Sequence, residues 1–278
     1  MPVPLSVLIL TYNEELNLSR CLDSLKWCDD IVVLDSYSTD ATQSIAEKNG
    51  TRFYQRVFDN YAQQRNYGLK DIKYKNDWVL MLDADEEATP ELINEISKAV
   101  SECADDVTMM RMRRKDFFLG RWIKHSSSYP LWFGRVMKPD CVWVEREINE
   151  EYHTKGTITH LQEHINHYPF NKGFSAWLEK HNRYSSMEAE LKFNQGDGKI
   201  SWSGFFSSDP LVRRKSLKTL VYSLPGRPLI VFFGLYFVKG GVFEGAPGFI
   251  YCTLKMFYEF MISCKLNELK RRANNSPV

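Results

Sequence analysis

Asp83-Ala84-Asp85 closes the apolar run Trp78-Val79-Leu80-Met81-Leu82, so two carboxylates stand at the mouth of what the pattern reads as a buried strand. In an extended segment residues two apart face the same way. Two acids so placed suit a hard divalent cation, whose oxygen ligands lie about 2.0 to 2.6 Å away. Such a cation in turn suits a phosphate. The triplet also has a plainer reading, as two solvated loop acids ahead of a helix that Thr89 caps and Pro90 begins. His160, His164 and His167 would close a zinc site if a carboxylate joined them, but their segment reads as strand and loop rather than one helical face.

The elements around the triplet must bring it to a crevice. From residue 5 to about 100, short apolar runs alternate with helical periodicity, the pattern of a parallel sheet covered by helices on both faces. Strands are expected at Ser6–Leu10, Ile31–Leu34 and Trp78–Leu82, and helices near Glu14–Leu25, Ala41–Asn49, Tyr61–Lys70 and Pro90–Ser101. In open sheets of this kind ligands sit beyond the carboxyl ends of the strands, where Thr11–Glu14, Asp35–Asp40 and Asp83–Glu87 all fall. No G-x-G-x-x-G and no P-loop follows any of these strands, which leaves a phosphate to be held by metal and side chains. Further strand-like runs at Val107–Met112, Arg135–Lys138, Val142–Val144 and Thr157–His160 read as the second half of a mixed sheet. A helix over Phe174–Leu191 follows, and a polar Gly- and Ser-containing stretch from Gly196 to Pro210 then marks a boundary.

The bulk properties are those of an ordinary globular chain of 278 residues, 44% hydrophobic and 26% charged. Lys and Arg number 36 against 35 for Asp and Glu, so no global field favours nucleic acid and none is expected as a partner. Six cysteines without a C-x-x-C pair fit free thiols in a reducing compartment. The opening Val3–Leu10 run lacks the basic flank and length of a signal core, which predicts a cytoplasmic protein. Late in the chain, apolar aromatic runs at Pro228–Val238 and Phe249–Cys264 lie between Arg213-Arg214-Lys215 and Lys270-Arg271-Arg272. The first is well short of the roughly 20 residues needed to cross a bilayer and the second carries Lys255 and Glu259, so lying in the interface is expected rather than spanning. The bland rival is a helical hairpin packed on the domain or a dimer contact, and a homo-oligomer stays among the partner expectations.

With Ser6-Val-Leu-Ile-Leu-Thr-Tyr-Asn-Glu14, Val33-Leu-Asp-Ser-Tyr-Ser-Thr-Asp40, Gln64-Arg-Asn66 and Leu82-Asp-Ala-Asp-Glu86 in this order, the chain resembles the family 2 inverting glycosyltransferases of the GT-A fold. Through Val144–Glu151, Ile165-Asn-His-Tyr168, Lys180-His-Asn-Arg-Tyr-Ser185 and the Gly226-Arg-Pro228 to Gly248 tail it is similar to the lipopolysaccharide core β-glucosyltransferases of the WaaE/KdtX type. The resemblance weakens between residues 195 and 225. It implies an α/β GT-A fold, Rossmann-like, with a mostly parallel central sheet, helices on both faces and a C-terminal helical membrane-associating appendage. The implied domains are a GT-A catalytic domain over 1–195, divided into a nucleotide-binding half (1–100) and an acceptor-side half (101–195), then a linker and amphipathic helical region over 196–278.

The resemblance also implies roles. Thr11, Asn13 and Glu14 would line the nucleotide pocket, Asp35 would read the base edge, and Arg65 and Asn66 would lie near ribose and diphosphate. Asp83 would touch ribose and metal, Asp85 would ligate Mg²⁺ or Mn²⁺, and His167 is a candidate third ligand. Glu150 is the expected general base, with Glu151 or Glu147 taking its place if the register is off, and a surface acid cluster as the rival. Arg183 would pair with diphosphate oxygens through its planar fork, or form a helix-surface salt bridge. Asn13 and Asp40 have helix capping as their plain rival, which is preferred for Asp40, and Arg65 that of a solvated helix residue. Trp122, Trp132 and Trp143 read as core before sugar-stacking platforms. The implied donor is a nucleoside-diphosphate sugar, with UDP-glucose the guess. The implied acceptor is a glycolipid or oligosaccharide at the inner membrane surface, met by an enzyme peripheral on its cytoplasmic face. A nucleotidyltransferase on a similar fold and a non-catalytic glycan- or membrane-binding module are the competing readings.

Overall fold

The computed structural model describes residues 3–127, 129–145, 151–195, 203–207 and 226–277, with Arg213, Ser216, Leu220 and Leu224 as single positions. Two compact units form, one from Met1–Trp122 with Tyr129–Lys172, the other from Ile123–Ser128 with Gly173–Val278.

In the first unit, short runs of Val, Leu and Ile buried on both faces make the inner strands. β1 (Ser6–Thr11) pairs in parallel with β2 (Ile31–Asp35) and β4 (Val79–Asp83), and β2 pairs in parallel with β3 (Arg52–Gln55). Alternation along the strands sends Val7, Ile9, Leu80 and Leu82 to one face, where they pack with α1 (Leu18–Asp23), α2 (Thr42–Lys48) and α4 (Pro90–Glu102). Leu8, Val79 and Met81 go to the other face and meet α3 (Tyr61–Lys70). The cap read from sequence is present, with the Thr89 hydroxyl accepting from the Leu92 N–H at 3.2 Å ahead of Pro90. α1 is shorter than the expected Glu14–Leu25, because Asn13 adopts a left-handed φ of 53° and the chain turns through Glu14 before the helix begins. β3 was not expected, since Arg-Phe-Tyr-Gln is a half-buried edge segment without an apolar run.

Beyond β4 come β5 (Glu86–Ala88), β6 (Val107–Phe118), β7 (Arg121–Trp122), β8 (Trp132–Met137) and β11 (Thr157–His167), while β9 (Val142–Glu145) and β10 (Glu151–Thr154) form a separate antiparallel ribbon. The sheet order is β3-β2-β1-β4-β8-β6-β11-β5 with β7 beside β6, so a mostly parallel sheet accepts β8 and β5 as antiparallel members. β6 and β11 run well past the expected ends at Met112 and His160. The outer part of β6 carries charges that find partners inside. β11 is interrupted by a register shift between His160 and His164, where the N–H groups of Gln162 and Glu163 donate to the Glu95 carboxylate at 2.7 and 2.8 Å.

The second unit is helical. α5 (Gly173–Gln195) packs with the long helix Gly245–Ala273, and Lys265 of that helix donates to Asn182, Ser185 and Ser186 at 2.6 to 2.8 Å. A shorter helix, Arg227–Phe233, continues as a wider π-turn over Gly234–Val238, and its buried Arg227 forms an ion pair with Glu259. On α5 the rings of Trp177 and His181 stack with centroids 3.6 Å apart, and His181 Nδ1 lies 2.9 Å from the Trp177 carbonyl. The helix α5, assigned from sequence to the catalytic half, lies in this second unit.

Two outcomes follow for stability. Asn66 on α3 clamps the ribbon by accepting from the Val144 N–H and donating to its carbonyl, both at 2.8 Å. Asn66→Ala should therefore cost about 1–3 kcal/mol in urea unfolding, because two backbone groups lose their partner. Burial, reinforced by Lys255 and Lys180, pushes His181 down to about 4 against the Trp177 carbonyl, which acts the other way. The native state then binds a proton less readily than the unfolded chain, so stability is level above about 6.5 and falls as pH drops from there towards 4. The melting-temperature difference between wild type and His181→Gln should narrow or invert over that window and stay flat above it.

Candidate functional site

The mouth of β4 gathers most of the first unit's buried charge. Asp83 ends the strand, Ala84 and Asp85 turn the chain, and Glu86 opens β5, so the two acids of the triplet do not lie along one extended segment as expected. They face different partners. Asp83 accepts from Arg65 at 3.1 Å on one oxygen and from Arg135 at 2.9 Å on the other. Burial works to raise Asp83, yet the Arg135 and Arg65 charges outweigh it and hold the carboxyl far below the usual range. Glu86, fully buried, accepts from Arg135 at 2.7 Å and from the Asp83 N–H at 3.0 Å, and burial pushes it up despite that guanidinium.

Asp85 faces His167, with 3.4 Å between carboxylate oxygen and Nε2. Sheet register explains the meeting, since His167 of β11 lies opposite Glu86 of β5 and Asp116 of β6. His167 Nδ1 sits 2.6 Å from Asp116, whose other neighbour is Arg114 at 3.0 Å. Burial and Arg114 lower the proton affinity of His167, but Asp85 and Asp116 prevail and raise it to about 9.

The tips of β1 and β2 form an adjoining polar group. Asp35 is fully buried and accepts from Thr11 Oγ1 (2.9 Å), Ser38 Oγ (2.5 Å), the Ser38 N–H (2.8 Å) and Gln55 (3.4 Å), which braces three strand ends together. Asn13 does not cap α1. Its side-chain oxygen accepts from the Thr39 N–H at 2.8 Å and ties the two loops. Asp40 is not the N-cap of α2, which is Ala41; it stands one residue earlier and accepts from the Thr42 N–H at 3.0 Å and the Thr42 hydroxyl at 2.5 Å. Glu14 pairs with Lys172 at 2.5 Å and accepts from Asn17 at 2.8 Å, and burial still leaves its carboxyl raised.

Thr11, Asn13, Glu14, Asp35, Arg65, Asp83, Asp85 and His167 thus line neighbouring strand tips of one unit. Other candidates are elsewhere. Asn66 spends its amide on β9, Arg183 is an exposed residue of α5 in the second unit, and Glu147 and Glu150 lie outside the described residues. Glu151 is exposed on β10 opposite Glu145. Trp122, Trp132 and Trp143 are not core residues: Trp132 is exposed against Arg113 and His160, Trp122 meets Tyr129 edge-on and Trp143 stacks on His153. His160 and His164 address Trp132 and Tyr129 rather than His167, which removes the zinc reading. Sequence reasoning missed Arg135, Arg114, Glu86 and Asp116, whose signal is only charged residues inside strand-like runs. It also missed the exposed rings of Tyr12 and Tyr37, the latter in a left-handed backbone at φ 59°.

The residues present fit a divalent cation in part. A histidine held through Nδ1 by one carboxylate, with Nε2 turned to a second, is the arrangement of a metal-ligating imidazole with its outer support. Asp85 and His167 could hold it together, and Asp83 meets one guanidinium on each oxygen with acceptor capacity left on both. Among the described residues no three His, Cys, Asp or Glu side chains close a site, so other ligands would have to come from substrate or water.

The first unit is thus a mixed, mostly parallel sheet with flanking helices and acids at its strand tips. The chain belongs to glycosyl transferase family 2, whose profile matches residues 6–174, and it is a glycosyltransferase. It is similar to the lipopolysaccharide core biosynthesis glycosyltransferase LpsC of Rhizobium meliloti, 25% identical over 299 residues that cover 98% of this chain and 96% of that one. The uncharacterized glycosyltransferase RC0292 of Rickettsia conorii is 26% identical over 283 residues, covering 98% and 92%. Among solved structures it is similar to glucosyl-3-phosphoglycerate synthase from Mycobacterium tuberculosis in complex with Mn²⁺, uridine diphosphate and glucosyl-3-phosphoglycerate, at 18% identity and a TM-score of 0.37, covering 49% of this chain and 57% of that one. The chain thus spans little more than half the length of that structure.

Arg135, only 4% exposed, is the cation shared by Asp83 and Glu86. Arg135→Met should cost about 3 kcal/mol in chemical denaturation, since it leaves the fully buried Glu86 with only the longer Arg114 contact at 3.5 Å and Asp83 with Arg65. Adding Glu86→Leu should recover part of that loss, and a double variant no more stable than the single would show that the pair is not coupled.

Proposed function

We propose that this enzyme is a metal-dependent, inverting hexosyltransferase that moves glucose from UDP-glucose to a membrane-associated glycan or lipid of the lipopolysaccharide-core kind. The observation that carries the metal-dependent part is the Asp85–His167–Asp116 alignment at the mouth of β4. The acceptor class draws on the relative named for lipopolysaccharide core biosynthesis, which this chain matches along nearly its whole length. UDP and glucose rest on the motif resemblance.

Inverting transfer is one in-line displacement. The acceptor oxygen forms its bond to the anomeric carbon as the bond from that carbon to the diphosphate oxygen breaks, and the acceptor proton passes to a carboxylate. Glu150 is the proposed recipient, with Glu151 or Glu147 as its stand-ins. Held by Asp85 and His167, Mg²⁺ or Mn²⁺ would supply positive charge to the departing diphosphate. Asp83 keeps Arg65 and Arg135 in place beside that position. Asp35 braces Thr11 and Ser38, so the loops bearing Asn13, Tyr12 and Tyr37 present a firm edge and two exposed rings to a nucleoside. Glu14, paired with Lys172, secures the same loop.

The test is Asp85→Ala. Transfer from UDP-glucose should fall by about 10³-fold, or about 4 kcal/mol in transition-state stabilisation, with circular dichroism unchanged. Chelation should silence the wild type, and added Mn²⁺ should restore it. Full turnover by the variant or by the metal-stripped enzyme would refute metal dependence, and release of pyrophosphate in place of UDP would identify a nucleotidyltransferase.

A further inference from the structure

The bend of the C-terminal helices carries the largest concentration of exposed apolar surface in the described residues. Val238 is 87% exposed, Phe243 79%, Phe237 57% and Phe249 50%, in or beside the turn that joins Arg227–Val238 to the long helix Gly245–Ala273. Further along the long helix Phe257, Phe260 and Cys264, three and four residues apart, are exposed on one side, and the helix ends at the exposed Lys270, Arg271 and Arg272. The two helices meet at 71°; no single described helix is long and apolar enough to cross a membrane, although the bent pair together passes that test.

Charge selects the occupant. Between residues 226 and 273 the chain has Arg227, Lys239, Lys255, Lys265, Lys270, Arg271 and Arg272 against Glu244, Glu259 and Glu268. Each acid already has a partner inside the unit: Glu244 is buried on Ser126 and the His125 N–H, Glu259 pairs with Arg227, and Glu268 with Arg272. The outward face is therefore apolar at the bend and cationic beyond it, with Lys239 exposed beside Val238, where its stem can lie along apolar surface while its ammonium reaches water. A second protein surface would need a complementary apolar patch. A bilayer offers hydrocarbon beneath anionic headgroups, which matches both parts at once.

We propose that the bend from Phe237 to Phe249 inserts into the interface of an anionic lipid bilayer, with Lys239 and the Lys270–Arg272 cluster meeting phosphate headgroups. This stands apart from the sugar-transfer reading, because it is measured without donor or acceptor.

The experiment is co-sedimentation of the full chain with phosphatidylcholine vesicles, with and without a third of phosphatidylglycerol. The wild type should pellet with the anionic vesicles, and raised salt should weaken binding. Val238→Asp with Phe243→Ser, at the two most exposed positions, should weaken binding roughly tenfold or more, since each loses apolar area from the interface. Lys270→Glu with Arg271→Glu, which leaves the apolar bend intact, should weaken binding to anionic vesicles alone. The proposal is overturned if the wild type stays in the supernatant with both vesicle types or if the bend variant binds as the wild type does. It is equally overturned if the bend variant dissociates a dimer in sedimentation velocity with vesicle binding unchanged.

Discussion

Carboxylates removed from water must be neutralised where they stand, and the first unit concentrates Asp83, Asp85, Glu86 and Asp116 at one end of its sheet. Arg65, Arg114 and Arg135 answer them, together with His167, whose proton affinity Asp85 and Asp116 raise. Most of this lies away from solvent, where an uncompensated acid would be prohibitively costly. The arrangement ties strands that the sequence keeps far apart. Arg135 reaches Asp83 and Glu86 because β8 is inserted antiparallel between β4 and β6, and His167 reaches Asp85 because β11 pairs with both β5 and β6. Slipping β8 by one residue would turn Arg135 to the opposite face and take from Asp83 and Glu86 the cation they share, so these ion pairs reinforce the register that apolar packing sets.

The same constraint divides labour between the two acids of the triplet. A guanidinium never gives up its proton, so two of them hold the Asp83 carboxyl far below its usual range. An imidazole differs. Its charge depends on pH, so the proposed cation at Asp85 and His167 would have to displace a proton from the imidazole. Asp116 makes this workable, because it holds Nδ1 and keeps Nε2 directed at Asp85.

Much of this was legible in the sequence where apolar periodicity is strong. β1, β2, β4, α3 and α4 lie where Val, Leu and Ile patterning and the Thr89-Pro90 cap put them, because strands buried on both faces have no polar alternative. The strand tips holding Thr11, Asp35 and Asp83 followed from those strands. What escaped was whatever depends on pairing between distant segments. The strand expected over Val107–Met112 stops short of Arg113-Arg114-Lys115, and only their position in the longer β6 brings Arg114 to Asp116 and Glu86. The bulge after His160 hid the second half of β11, since its N–H groups at Gln162 and Glu163 are satisfied by Glu95, 67 and 68 residues earlier in the chain. Reading Asp83 and Asp85 as neighbours on one strand face failed for a local reason: the turn at Ala84–Asp85 separates them.

The second unit solves the opposite problem, a turn that is apolar outside and polar within. Gly248 lies so close to Gly241 that a Cβ there would stand 2.2 Å from the Gly241 carbonyl oxygen, and Gly240 takes a left-handed φ of 85°. These glycines let the 3₁₀ turn Gly241–Glu244 fold back on the helix start. That fold carries Glu244 inward, where it accepts from the His125 N–H at 2.5 Å, the Ser126 N–H at 3.1 Å and the Ser126 hydroxyl. A loosely packed turn would expose apolar rings through want of partners, with its polar groups left to water. Here the polar group is buried and satisfied while Val238 and Phe243 point outward. Their exposure is therefore a property of a well-anchored turn, and the free energy that holds Glu244 inside is what keeps those side chains out.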